Sequence, residues 1–302
     1  MHAIKVIAIS GSGRTGSTLL SLLLSQDANV FNLGQLRDLW LSYIRERSCT
    51  CGDLLPQCQV LGTVVRQVFG PDVESGLTGM TVNMRAFFKD AARMKHWGSP
   101  AALQKLANQH GGFLFKLREF LQALSELTGA YCFVDTSKTP EMALAFSLLE
   151  GVDVKVVNLA RDPRAVAYSW YKKKSQFKAV IRYSRLWAKR QQVLSKWAHS
   201  RKDVMIQVRY EEFAARPEEW VGNILRWAVL PPPVGVFQSP NRAQISWENQ
   251  HLFPPANESV LRERKTDVEI MPADAWLHSS SWLVRLLAIL YTYPSGWKYI
   301  RG

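Results

Sequence analysis

The run Val6-Ile7-Ala8-Ile9-Ser10 passes directly into Gly11-Ser12-Gly13-Arg14-Thr15-Gly16-Ser17-Thr18, and an apolar segment, Leu19 to Leu24, follows. A β-branched apolar run reads as a buried strand, the glycines as a tight turn and the leucine-rich segment as the start of a helix. Strand, glycine loop and helix together aim backbone N–H groups and the positive end of a helix at one point, which suits an anion and above all a phosphate. Glycine lets the backbone approach closely, and Arg14, Thr15, Ser17 and Thr18 add donors around the same point. An ordinary surface turn has no use for this chemistry. The chain is expected to carry a phosphate loop at the end of its first strand.

The rest of the sequence supplies partners for that strand. Val30 to Leu33, Ala130 to Val134, Val152 to Leu159 and Val204 to Tyr210 are further apolar strands. Segments with helical spacing lie between them, at Leu36–Arg47, Val60–Phe69, Asn83–His96, Ala101–Gln109 and Phe113–Thr128. Gly70-Pro71 and Gly76 to Gly79 read as a mobile break. Pro231 to Pro255 reads as a long irregular loop, with Trp247, His251 and Phe253 suited to a lid. Strands alternating with helices imply a parallel β-sheet flanked by helices, an α/β fold with helical insertions. With no internal repeat, residues 1–302 read as a single domain.

In such sheets ligands gather beyond the carboxyl ends of the strands. Asp135-Thr136-Ser137-Lys138-Thr139-Pro140 follows one strand, either as a simple helix cap or with Lys138 reaching a transferred group. Leu159-Ala160-Arg161-Asp162-Pro163 follows the next, with Ser169 two helical turns beyond Arg161, so that both can grip one phosphate. The loop spacing itself fits more than one pattern. Gly11-x-Gly13-x-x-Gly16 matches the dinucleotide fingerprint, but the acidic residue that should follow is poorly placed at Asp27 or Asp38. Gly11-x-x-x-x-Gly16 begins like a nucleoside-triphosphate loop, yet Ser17 stands where that loop has lysine.

Arg14-Thr15-Gly16-Ser17-Thr18 resembles the 5′-phosphosulfate loop of sulfotransferases that use 3′-phosphoadenosine 5′-phosphosulfate (PAPS), and Arg161 with Ser169 resembles their 3′-phosphate motif. Tyr210 is similar to a tyrosine that this family holds near the adenine, and Arg264-Lys265 to its late basic pair, although Thr266 departs from the usual glycine. The Cys49–Cys58 segment and Gly34-Gln35-Leu36 also look like features of bacterial members. The resemblance spans residues 4 to about 270 and implies the P-loop-like sulfotransferase fold. It implies sulfuryl transfer to an oxygen or nitrogen of a small-molecule acceptor such as a secondary metabolite, without a required metal. Arg14, Lys138 and the loop N–H groups would stabilise the leaving phosphate. Some members carry a glutamate base where this chain has Gln35. His251 is similar to a histidine other members hold near the site and is the expected base, with Asp38, Glu248 and His110 behind it. Gln35, Asp38 and Trp247 are the expected substrate contacts.

Lys and Arg outnumber Asp and Glu by 38 to 25, a net charge of +13 that favours polyanionic ligands. Eleven of these cations lie between Arg161 and Lys196 with one acid, Asp162; they form a solvated face or steer an acidic ligand. A small-molecule kinase would need a metal-binding carboxylate, for which only Asp135 offers itself. A nucleic-acid-binding protein would need stacking aromatics among the basic residues, and these are dispersed; nucleic acid is not an expected partner. Cys49, Cys51 and Cys58 supply three soft ligands, but no histidine is near them in sequence, so they read as free thiols. No secretory-type leader and no apolar run of membrane length is seen, so a cytoplasmic protein is expected. The oligomeric state is left open, a homodimer included.

Overall fold

The computed structural model describes residues 3–94, 97–201, 203–255, 258–279 and 281–300. Five strands, β1 (Ile4–Gly11), β2 (Val30–Gly34), β3 (Cys132–Lys138), β4 (Val152–Ala160) and β5 (Met205–Arg209), form one parallel sheet in the order β2-β3-β1-β4-β5. The chain builds outward from β1 to one side through β2 and β3, then crosses to the other side for β4 and β5. That reversal leaves a crevice at the carboxyl ends of β1, β3 and β4.

Both faces of the sheet are covered, so its central strands bury neighbouring residues on both sides, six in a row in β1 and six in a row in β3. Val6, Ala8, Phe133 and Val156 enter one core with Trp40, Leu117, Phe120 and Met142, from helices that connect the strands. Ile7, Ile9, Val134, Val157 and Leu159 enter the other, with Leu20, Leu23, Val221 and Ile224. Trp40 sits edge-on to Phe120 with centroids 5.3 Å apart, which locks the helix Leu36–Ile44 against the helix Gly111–Thr128.

Two expectations about the connections are corrected. A helix runs unbroken from Val73 to Arg93, through the glycines read as a mobile break. A side chain at Gly76 would come within 2.8 Å of Phe69, so glycine here allows close packing rather than a turn. The expected helix end at residues 95 and 96 lies outside the described residues. The segment 231–255 is not wholly irregular. Its strands Phe237–Ser239 (β6) and Arg242–Gln244 (β7) form a hairpin that pairs antiparallel with Asp267–Glu269 (β8). Tyr210 also lies beyond the strand, at the first position of the helix Tyr210–Ala215. Among the described residues no helix is long and apolar enough to cross a membrane.

The helix Pro163–Lys174 starts as its sequence implies, with Pro163 in the first turn and the Asp162 carboxylate accepting from Arg164 N–H at 2.8 Å. Asp162→Ala removes this cap and is expected to cost about 1–2 kcal/mol. Thermal melting should show a drop of a few degrees. An unchanged melt would mean that Pro163 and packing suffice to start the helix.

Candidate functional site

A cavity of about 430 Å³ opens at the carboxyl ends of β1, β3 and β4. Gly11 leaves β1 with φ 129°, and a side chain there would meet the Leu159 carbonyl at 2.5 Å. Gly16, at φ 81°, lies flat beneath the Tyr210 ring, which a Cβ would reach at 2.8 Å. The helix Ser17–Leu24 then starts with no side-chain cap, so the first N–H groups of a helix whose Ser17, Thr18 and Leu19 line the cavity are available to a ligand.

Contacts between the loops fix the cationic side chains. Arg14, at φ 69°, donates from Nε to Ser169 Oγ at 2.8 Å. The Arg161 guanidinium donates to the Arg14 carbonyl at 3.1 Å and lies 4.4 Å from the centroid of the Tyr210 ring. On the opposite side β3 is irregular where it meets Ser10, and this bulge turns Lys138, at φ 62°, into the cavity. Trp170 stacks on Tyr183 with centroids 3.6 Å apart and closes the flank beside Gly13.

The electrostatics are one-sided. Arg14, Arg37, Lys138, Arg161, Lys173 and Arg190 line the cavity, and among the described lining residues there is neither a carboxylate nor an imidazole. Burial, reinforced by Arg37, pushes Lys138 down to about 8 and Arg190 to about 10. Burial and the neighbouring Arg161 also lower Arg14. Half-buried cations gathered around one cavity suit a multiply charged anion.

Asp135, on the same strand as Lys138, is 2% exposed and is not among the cavity's lining residues. It accepts from Leu36 N–H at 3.2 Å, from Ser137 N–H at 3.0 Å and from Ser137 Oγ–H at 2.7 Å. Burial raises it to about 6. It ties the end of β3 to the start of the helix that carries Arg37, and so positions Lys138 and Arg37 together. Thr139 makes no side-chain cap bond, so the simple-cap reading of this segment gains no support.

Of the residues expected at the site, Arg14, Gly16, Ser17, Thr18, Gln35, Lys138, Arg161, Ser169 and Tyr210 line one cavity. Thr15 belongs to the loop but turns inward, its hydroxyl donating to the Ser12 carbonyl at 2.9 Å. Asp38 is paired with Arg37 at 3.2 Å beside the cavity rather than in its wall. Arg264 and Lys265 are exposed and line no part of it, and Lys265 pairs with Glu263. Trp247 donates to the Lys265 carbonyl, also away from the cavity.

His251 is not in the cavity wall. Its ring stacks on Phe31, and Nδ1 lies 3.3 Å from Cys58 Sγ and 3.7 Å from Cys49 Sγ. The expectation that no histidine stands near the cysteines is therefore corrected: one arrives from 193 residues away. Phe253, at 1% exposed, is core rather than lid. His110 pairs with Asp90 and packs on Phe87, and Glu248 is exposed, so neither faces the cavity.

Arg37, Lys173, Tyr183 and Arg190 are site residues that the motifs did not show. A faint signal existed, since Tyr183, Leu186 and Arg190 share one helix face, as do Ser169 and Lys173.

Among the solved structures that share this architecture are two sulfotransferase domains. One is the sulfotransferase domain from the Synechococcus PCC 7002 olefin synthase, at 15% identity and TM-score 0.50, covering 97% of this chain and 96% of that one. The other is the sulfotransferase domain from the curacin biosynthetic pathway, at 14% identity and TM-score 0.51, covering 95% and 96%. At such identities the likeness speaks for the fold alone. A sequence search of curated proteins finds no match. The family pattern that the sequence does match, over residues 7–233, takes in the glycine loop, Lys138, the Arg161 motif and Tyr210, and by it the chain belongs to the sulfotransferase family.

Proposed function

We propose that this chain transfers a sulfuryl group from PAPS to an oxygen or nitrogen of a small-molecule acceptor. The observation that carries this reading is the cavity wall: six cations and no carboxylate among its described residues, placed at the ends of β1, β3 and β4. The wall fits the donor in kind. Gly16 keeps the floor open beneath Tyr210, and Arg161 and Ser169 meet Arg14 from the far side of the loop. Arg14 and the first N–H groups of the helix Ser17–Leu24 would hold the 5′-phosphate side, and Arg161 with Ser169 the 3′-phosphate. Tyr210 offers an aromatic face to the adenine.

When bound, PAPS supplies the sulfuryl group and, as leaving group, a bisphosphate. Catalysis then rests on Lys138, Arg14 and the loop N–H groups holding the charge that develops on the departing phosphate oxygen. By analogy with phosphoryl transfer, the transition state is loose and in-line, with little bonding to the acceptor. The acceptor's proton therefore need not leave early, which suits a wall that holds Gln35 and no carboxylate among its described residues. The curacin-pathway domain is named for a biosynthetic pathway, and a small metabolite is the parallel acceptor here. A kinase reading has less support, because Asp135, its expected metal ligand, does not line the cavity and already accepts three hydrogen bonds from Leu36 and Ser137.

The test is thermal stabilisation by adenosine 3′,5′-bisphosphate, compared with ATP-Mg and NAD at matched concentration. A ligand at 100 times its dissociation constant contributes about 2.7 kcal/mol, and the bisphosphate alone is expected to produce that shift. A larger shift with ATP-Mg or NAD would sink the sulfuryl-transfer reading.

A further inference from the structure

The cysteine loop and His251 form a second constellation outside the cavity. Cys49, Cys51, Cys58 and His251 each place one ligand atom so that all four lie within 4.8 Å of one another. No disulfide joins the cysteines. A tetrahedral zinc ion with Zn–S near 2.3 Å and Zn–N near 2.0–2.1 Å requires S···N separations of about 3.6 Å. The two that bring His251 Nδ1 to Cys58 and Cys49, 3.3 and 3.7 Å, bracket that value.

We propose that these four side chains bind one zinc ion, which fastens the segment carrying His251 to the cysteine loop. Three thiols and an imidazole are a structural zinc set, with no position left open for water. Binding would release the three thiol protons to solvent and leave the site with a charge of −1.

The surroundings are built for it. Gly52, at φ 112° in open space, turns the chain after Cys51, and its N–H donates to the Cys49 carbonyl at 3.1 Å. Cys49 N–H donates to the Asp53 carbonyl and Cys58 N–H to the Leu54 carbonyl, so the loop holds its shape. Thr50 then grips both neighbours of His251. Its N–H donates to the Leu252 carbonyl, its hydroxyl to the Gln250 carbonyl, and Leu252 N–H donates back to that hydroxyl. The His251 ring is fixed by Phe31, 5.9 Å away and nearly parallel. This is the outer support that zinc ligands need to hold one orientation.

The fastening matters because the same segment leads to the cavity. Leu252 packs on Gly34, next to Gln35, and Pro255 lines the cavity wall. Zinc here would hold one wall of the site without touching the reacting groups, independently of which donor binds.

The test is elemental analysis of the full chain purified in reductant without added metal and freed of any affinity tag, followed by cobalt(II) titration of the zinc-stripped protein. One zinc per chain is expected, together with uptake of one cobalt giving thiolate charge-transfer and tetrahedral ligand-field absorption. Cys132→Ser, which removes the buried cysteine outside the cluster, should keep the zinc, and Cys51→Ser, at the exposed corner, should lower zinc affinity at least tenfold. Stripping should also speed amide exchange across residues 249–255. Iron in place of zinc, no bound metal with no cobalt spectrum, or equal zinc content in Cys51→Ser and wild type with an unchanged cobalt spectrum would overturn the proposal.

Discussion

Lys138→Met is expected to reduce kcat for sulfuryl transfer by 10²- to 10³-fold, about 2.7–4 kcal/mol of transition-state stabilisation, while leaving the fold intact or slightly firmer. Methionine keeps most of the apolar body of the side chain and removes the ammonium group with its charge and donors. The pH profile separates the roles open to this lysine. Its free-enzyme value is pushed down to about 8. If its cation stabilises the leaving group, kcat/KM falls as pH rises through about 8; if it served as a base, kcat/KM would rise through the same window. We expect the fall, and a flat profile in the variant. The stability linkage has the opposite sign. Between about 8 and 10.5 the unfolded chain holds a proton that the folded chain has lost, so wild-type stability gains on the variant as pH rises through that window. Below pH 8 the buried cation is a burden, and the variant should melt at least as high as wild type.

Arg14→Gly is expected to weaken binding of adenosine 3′,5′-bisphosphate by about 30-fold to more than 1,000-fold, from the 2–5 kcal/mol that truncating a buried charge partner costs. Glycine is the informative replacement because Arg14 sits at φ 69°, where a side chain is strained by about 1–2 kcal/mol. The carbonyl that Arg161 bonds is kept, and the repulsion between the two guanidiniums disappears. The ligand-free variant should therefore melt no lower than wild type, and calorimetry should show the affinity reduced by that factor. Retained affinity together with a lower melt would assign Arg14 to the fold instead of the ligand.

Much of this could be read from the sequence, and the divide has a physical basis. The strands are legible because a doubly covered parallel sheet needs apolar residues on both faces, and β1, β3 and β4 each hold consecutive apolar residues, at 6–9, 132–134 and 156–157. Arg14 and Arg161 are legible because strand-end loops in such a sheet converge, so a motif after each strand is enough to bring the two together. Arg37 and Arg190 are not, because they belong to helix faces whose rotation is set by how Trp40 and Trp187, on the same two helices, pack into the core. The helix through Gly76 escapes because its glycine answers to Phe69, a contact that local spacing does not record. The strands at 237–244 escape because each is three residues long and is completed by residues 267–269. His251 was assigned by analogy to the transfer chemistry, whereas its partners lie 193 and 202 residues back along the chain.

The bonds that knit the glycine loop to the Arg161 loop span 155 and 147 residues. Synthesis completes the loop at residues 11–18 early, but the groups that hold its arginine emerge only after β4 has been made. Closing separations of this kind costs loop-closure entropy and slows folding. An anion that needs Arg14, Arg161 and Ser169 together would find its full site only where β1 and β4 already lie side by side. A ligand that recognises only the finished sheet acts on the unfolding limb, lengthening the life of the native state while leaving the speed of its formation unchanged.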